Sequence, residues 1–225
     1  MVDADDGELL DLLTTAIGAP TRVVLEGRSA FSFAAQIAER YRHGRVFLIG
    51  DAAHRMTPRG GTGMNTAIQD GFDLGWRLAW VIRGWATVGL LDAYETVRRP
   101  VGLHNVKRAG QPDGARRDAE EALPWDLNGR VEHHWITDHQ RTGSTLDLIG
   151  EGLTLFAAPG DRRWATTDLN TRSPLRIHVF DEAGARALAI PPAGARLLGP
   201  DARAIVAWEN YGEFEQAPRM APWLI

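Results

Sequence analysis

The chain has 225 residues and no cysteine. That absence excludes disulfides, thiolate metal sites, cysteine nucleophiles and thiol redox chemistry, and it suits a reducing compartment. A basic excess is also missing. The formal net charge is −4 and the pI is near 6.0, and no run of Lys and Arg is interleaved with aromatics, so nucleic acid is not an expected partner. Long apolar runs are lacking too. Residues 78–82 are bounded by Arg77 and Arg83 and fall far short of the roughly 20 residues that span a bilayer. The acidic opening at 1–6 is unlike a signal peptide. Internal repeats and low-complexity tracts are absent. These features predict a cytoplasmic protein with no membrane partner, large enough for one sizeable domain or two smaller ones.

Apolar residues at Leu9, Leu10, Leu12, Leu13 and Ile17 predict a packing helix, closed by Gly18 and Pro20. Residues 22–26 and 29–37 are rich in β-branched, aromatic and small side chains and predict two strands about a turn at Gly27. A lone hairpin is marginal in water, so its sheet partners are expected from elsewhere. The apolar run 46–49, ended by Gly50, predicts a strand buried on both faces. A helix is expected from Thr66, capped by Asn65 or a neighbour, with Ile68, Phe72, Trp76 and Ala79 as its inward stripe and Gly71 and Gly75 marking close packing. A second helix, about 90–99, turns Leu91, Tyr94 and Val97 inward and Glu95, Arg98 and Arg99 outward, and stops or kinks at Pro100. The polar stretch 109–128 reads as a linker. Beyond it, strands at 152–156, 175–180 and 204–208 and a short helix at 161–169 predict a small α/β unit.

Chemistry concentrates at residues 50–65. A strand ending at Gly50-Asp51 sets a carboxylate at the carboxyl edge of a sheet, where α/β folds place ligands and where it can accept hydrogen bonds from sugar or ribitol hydroxyls. Residues 58–63 contain three glycines, so a flat ring can approach their backbone closely. The loop runs straight into a helix whose free amides and dipole favour negative charge.

Gly50-Asp51-Ala52-Ala53-His54, Pro58, Gly60, Gly63, Met64 and Asn65 resemble, in order and spacing, the second flavin motif of single-component FAD-dependent aromatic hydroxylases. The likeness continues through residues 66–70, 74–79 and 94–100. It implies that Asp51 binds the ribitol, that Pro58 lies beside the isoalloxazine, and that the backbone of Gly63, Met64 and Asn65 meets the pyrimidine edge, with Gly60 part of the cradle. It further implies that NADPH or NADH reduces the flavin and that O2, added at C4a as a hydroperoxide, hydroxylates a small phenolic or polyketide-like substrate. No side chain here is assigned as a catalytic acid or base.

The tail, where residues 141–150 lead into the first strand, resembles the family's thioredoxin-like terminal domain. Without cysteine its role would be packing or association, and residues 210–225 depart from the family form. The fold class implied is α/β: the carboxyl-terminal portion of a Rossmann-like FAD/NAD(P)-binding domain, followed by a thioredoxin-like domain. The divisions fall at 1–44 (substrate-domain remnant), 45–108 (FAD-domain segment), 109–128 (linker) and 129–225.

Blander readings stand beside these. A glycine-rich loop often serves only to join a strand to a helix. Asp51 can be a cap or turn former, His54 is best read as a satisfied buried imidazole, and Trp76 and Trp80 as packing residues. His133, His134, Asp138 and His139 have metal-ligand types but match no metal spacing; a solvated loop is the better reading. The family's Gly-x-Gly-x-x-Gly turn for the FAD pyrophosphate is missing from these residues. Two functions therefore compete. One is a part of a monooxygenase working with a separate amino-terminal FAD-binding half or as a homo-oligomer; the other is a non-catalytic association module.

Overall fold

A computed structural model describes residues 5–29, 32–113, 129–138, 141–216 and 221–225. The chain divides into two units, residues 1–34 and 35–225.

In the first unit, helix α1 (Asp6–Ile17) opens on a capping box between Asp5 and Glu8 and closes at Gly18, whose φ of 73° suits glycine. It is not the packing helix expected, since none of its residues is buried and Leu12 and Ile17 are 62 % and 51 % exposed. The expected hairpin does not form either. Residues 20–29 adopt no regular structure, and Val24 is 70 % exposed. Residues 30–31 lie outside the described residues.

The second unit begins with short pairings. Strand β1 (Gln36–Ile37) runs antiparallel to β4 (His54–Arg55), and β2 (Arg42–His43) to β3 (Val46–Phe47). The doubly buried strand expected at 46–49 is reduced to β3, with Val46 63 % and Ile49 44 % exposed. Among the described residues no further strand pairs with β3 to cover them.

Helix α2 (Gly63–Ile82) starts three residues before the expected Thr66, and of its expected stripe Trp76 packs against the core and Ala79 is half-buried while the other two residues face out. Ile68 and Phe72 are 62 % and 56 % exposed, and a Cβ at Gly71 or Gly75 would meet nothing. The buried face is Thr66, Asp70, Asp73, Leu74, Arg77 and Trp80. Its charges are tolerated because each has a buried counter-charge: Arg77 takes both Asp73 oxygens at 2.8 and 3.0 Å, and Arg98 takes Asp70. Helix α3 (Asp92–Gly110) passes through Pro100 instead of ending there, at the loss of one helical hydrogen bond. Arg98, expected outside, is 1 % exposed.

In the terminal part, β5 (Trp135–Asp138) pairs with β6 (Arg141–Ser144), so residues that were expected to be a loop and a lead-in form a hairpin. A four-stranded sheet follows in the order β10-β9-β7-β8, built from β7 (Leu153–Ala157), β8 (Leu175–Val179), β9 (Ala195–Leu198) and β10 (Ala204–Trp208). Only β7 and β8 are parallel. Short helices α4 (Glu182–Ala187) and α5 (Tyr211–Gln216) complete it. One core joins Trp80 of α2, Ala86 and Leu90 to Leu153, Leu155, Trp164, Leu197 and Trp208. Trp80 donates Nε1–H to the Glu151 carbonyl at 2.8 Å. The last residues tie in as well: the Trp223 carbonyl accepts from Thr87 N–H at 2.8 Å, and Ile225 N–H donates to Trp85. Among the described residues no helix is long and apolar enough to cross a membrane.

Candidate functional site

Residues 50–65 form a 3-10 turn, the short strand β4, a glycine loop and a helix start; the strand expected to end at Gly50-Asp51 stops at Phe47. Gly50, at φ +56°, opens a 3-10 turn over Gly50–Ala52 that leaves Asp51 exposed. A Cβ on Gly50 would lie 3.2 Å from the Ala67 Cβ, so this turn sits directly against α2. Pro58 is exposed, Gly60 and Gly61 adopt φ of 79° and 61°, and Gly61 N–H closes the loop on the Pro58 carbonyl at 3.2 Å. Thr62 is buried and precedes α2 without a side-chain cap. Asn65 therefore does not cap the helix; with Gly63 and the 73 % exposed Met64 it forms the first turn. The amides of those three residues have no acceptor within the helix, and no acidic side chain stands in that turn.

Beneath this surface lies a polar network that periodicity did not reveal. Asp70, 0 % exposed, accepts from Gly50 N–H at 3.2 Å and from Arg98 Nε at 2.8 Å, and its Oδ2 is 2.7 Å from His54 Nε2. Arg98 also reaches the Gln69 Oε1 at 3.2 Å and the Thr66 carbonyl at 3.3 Å. His54 is buried as expected but only half satisfied, since its Nδ1 has no partner among the described residues.

Helix α3 holds the whole motif along one face. Tyr94 donates to the Leu48 carbonyl at 2.8 Å, Arg98 grips Asp70, and Gly102 admits Tyr41 and His54. Asn105 donates to Thr66 Oγ1 at 3.1 Å, and the Ala109 carbonyl accepts from Thr57. Glu95, expected on the outer face, accepts instead from the backbone N–H groups of Tyr41 and Arg42 at 2.7 and 3.0 Å. Burial, reinforced by the Asp70 charge, holds the Tyr41 and Tyr94 phenols above the ordinary tyrosine value, so both stay neutral. The signal for Arg98 was its place four residues after Tyr94, on the buried side of the same helix.

Among the described residues, His133 and His134 of the tail each have a separate neighbour. His133 contacts Ser144 Oγ at 2.6 Å, His134 lies 3.3 Å from Glu132, and His139 is outside the described residues. Among the described residues no cluster of three or more metal-ligand side chains occurs.

Residues 3–109 match the model of an FAD binding domain family. A rifampicin monooxygenase of Streptomyces venezuelae is 58 % identical over 222 residues, 87 % of this chain and 45 % of that protein. A putative polyketide hydroxylase of Streptomyces halstedii is 36 % identical, covering 81 % of this chain and 37 % of the relative. The crystal structure of aklavinone-11 hydroxylase in a ternary complex with FAD and aklavinone superposes with a TM-score of 0.79 at 27 % identity, over 97 % of this chain and 51 % of that one. The chain thus spans about half the length, or less, of the relatives it matches. By these likenesses residues 3–109 fall in an FAD binding domain family, and the chain is related, over about half of their length or less, to the FAD-dependent aromatic hydroxylases.

Proposed function

We propose that this chain supplies the flavin-ring end of the FAD site in a monooxygenase that uses NADPH or NADH and O2 to hydroxylate an aromatic or polyketide-like phenolic substrate. It does so together with an amino-terminal half that carries the pyrophosphate turn. The observation behind this reading is the open glycine turn leading into uncapped helix amides. A Cβ at Gly61 would meet nothing within 4 Å, and one at Gly63 only the Met56 Cβ at 3.8 Å, so a flat group has room against this backbone.

The residues fit the cofactor. Asp51 accepts hydrogen bonds from ribitol hydroxyls, and Pro58 packs beside the ring. Gly60 keeps the approach clear, and the amides of Gly63, Met64 and Asn65 face the negative pyrimidine edge. FAD when bound supplies the redox and oxygen-transfer chemistry; the chain places it and keeps water away. The exposed Ile68 and Phe72 support a need for a covering partner. The terminal part, read as a thioredoxin-like domain, contributes packing.

The test is to purify the chain alone and joined to an amino-terminal half, then record the absorbance at 450 nm and substrate-stimulated NADPH or NADH oxidation. Flavin retained in the joined protein is expected. Its absence from both preparations refutes the proposal and favours an association module.

A further inference from the structure

We propose that Asp70 is the positioning residue of the flavin motif: its buried carboxylate fixes the Gly50 turn, and through it Asp51, against the first turns of α2. The role given to Asp51 rests on the function proposed above; the positioning of the turn does not.

Three segments meet at this one carboxylate. Gly50 N–H reaches it from the turn, His54 Nε2 from β4 and Arg98 Nε from α3, at 3.2, 2.7 and 2.8 Å. A fully buried carboxylate is costly unless paired and hydrogen-bonded, so a core requiring only volume would hold leucine here. What leucine cannot do is accept the inward-directed Gly50 amide. That bond fixes a residue in the left-handed region (φ +56°), with Ala67 pressed close by, and the next residue, Asp51, is thereby left facing solvent. Arg98 supplies the counter-charge and spreads its donors over Asp70, Gln69 and the Thr66 carbonyl, so the same guanidinium ties down the start of α2. Turn and helix start therefore keep a fixed spacing.

The same helix contains an internal control. Asp73 and Arg77 form a second buried acid–base pair, with Arg77 on both carboxylate oxygens, and among the described residues Asp73 accepts no hydrogen bond from the turn. Loss of Asp73 removes stability without loosening Gly50.

Asp70→Asn is close to isosteric but offers one acceptor oxygen in place of two and brings an NH2 group towards donors. Amide hydrogen exchange on the full chain, without flavin, is the deciding measurement. Expected is roughly a tenfold faster exchange at Gly50 and through residues 51–62 in Asp70→Asn, the scale of one lost charge-assisted bond. Asp73→Asn should change exchange only in proportion to global stability. Should Asp70→Asn fail to fold, Arg98→Lys, which keeps the charge but not the fork, carries the same expectation for residues 63–69. In the joined protein, Asp70→Asn should weaken FAD binding by about tenfold more than Asp73→Asn. Equal exchange at Gly50 in the two aspartate variants overturns the proposal. A wild type that binds no flavin refutes the proposed function instead and leaves the exchange result to decide this one.

Discussion

Replacing Gly102 with alanine tests how closely α3 is pressed onto the motif. A Cβ at 102 collides with the Tyr41 hydroxyl and comes within 3.4 Å of Tyr41 Cζ and 3.5 Å of His54 Cδ2. Tyr41 is 0 % exposed and its hydroxyl has no hydrogen-bond partner among the described residues, so the ring has little room to move and no such bond that favours its position. Two effects oppose each other. Alanine gains roughly 0.5–1 kcal/mol over glycine inside a helix, whereas overpacking a core costs roughly 1–3 kcal/mol. Overpacking wins, for a net loss of about 1–2 kcal/mol. Tyr41→Phe removes the colliding oxygen, and with it a buried hydroxyl that bonds nothing, a liability of about 1–3 kcal/mol. Tyr41→Phe alone should therefore be neutral or stabilising, and Gly102→Ala with Tyr41→Phe should be at least as stable as the wild type. Urea unfolding of the four proteins, followed by circular dichroism, gives the coupling directly. A coupling below about 0.5 kcal/mol, or a Tyr41→Phe variant as unstable as Gly102→Ala, refutes the packing argument.

Arg77→Met leaves the buried Asp73 without its counter-charge and should cost roughly 3–5 kcal/mol, most of it recovered by adding Asp73→Leu; thermal melting of both variants checks this. Trp164→Ala empties a 0 % exposed core site and breaks the Nε1–H bond to the Ala193 carbonyl, so a loss of about 3–5 kcal/mol is expected, visible as lost near-ultraviolet dichroism. Burial holds the His178 imidazole below its ordinary value of 6.5. A folded-state value depressed in this way contributes stability that is complete above 6.5 and is lost as pH falls through the folded value. Urea midpoints should therefore drop from pH 7.5 to pH 5, and His178→Phe should flatten that slope; an unchanged slope contradicts the assignment.

The glycine turns and the helix start of residues 50–65 were legible because they are local. Gly50-Asp51, the glycines of 58–63 and the helix that follows are neighbours in sequence, and so are the apolar runs of β7, β8 and β10. The support under the motif was not legible. Asp70 and Arg98 are 28 residues apart, and a charged side chain on a helix is normally assigned to solvent, so their pairing put charges on the inner faces of both helices beside the apolar residues expected there. Ile68 and Phe72 were read inward on hydropathy alone, while the space beneath α2 went to a carboxylate and a guanidinium. Strand β9 escaped because its four residues, flanked by Pro191-Pro192 and Gly199-Pro200, hold too short an apolar run to mark a strand. The hairpin expected about Gly27 failed for the opposite reason: its β-propensity was real, but propensity without packing does not make a strand, and residues 20–29 stay irregular.

The indoles at the junction between α2 and the terminal sheet have an optical consequence. Trp76, Trp85 and Trp223 surround Trp80 with ring centroids 5.2, 6.2 and 6.2 Å from it. At such separations light absorbed by one ring is shared with the others, and their excited states couple. Because one ring set comes from α2, another from the turn after it and a third from the last residues of the chain, separating any of these segments breaks the coupling. The protein thus carries a built-in fluorophore whose spectrum follows the seating of its own carboxyl terminus.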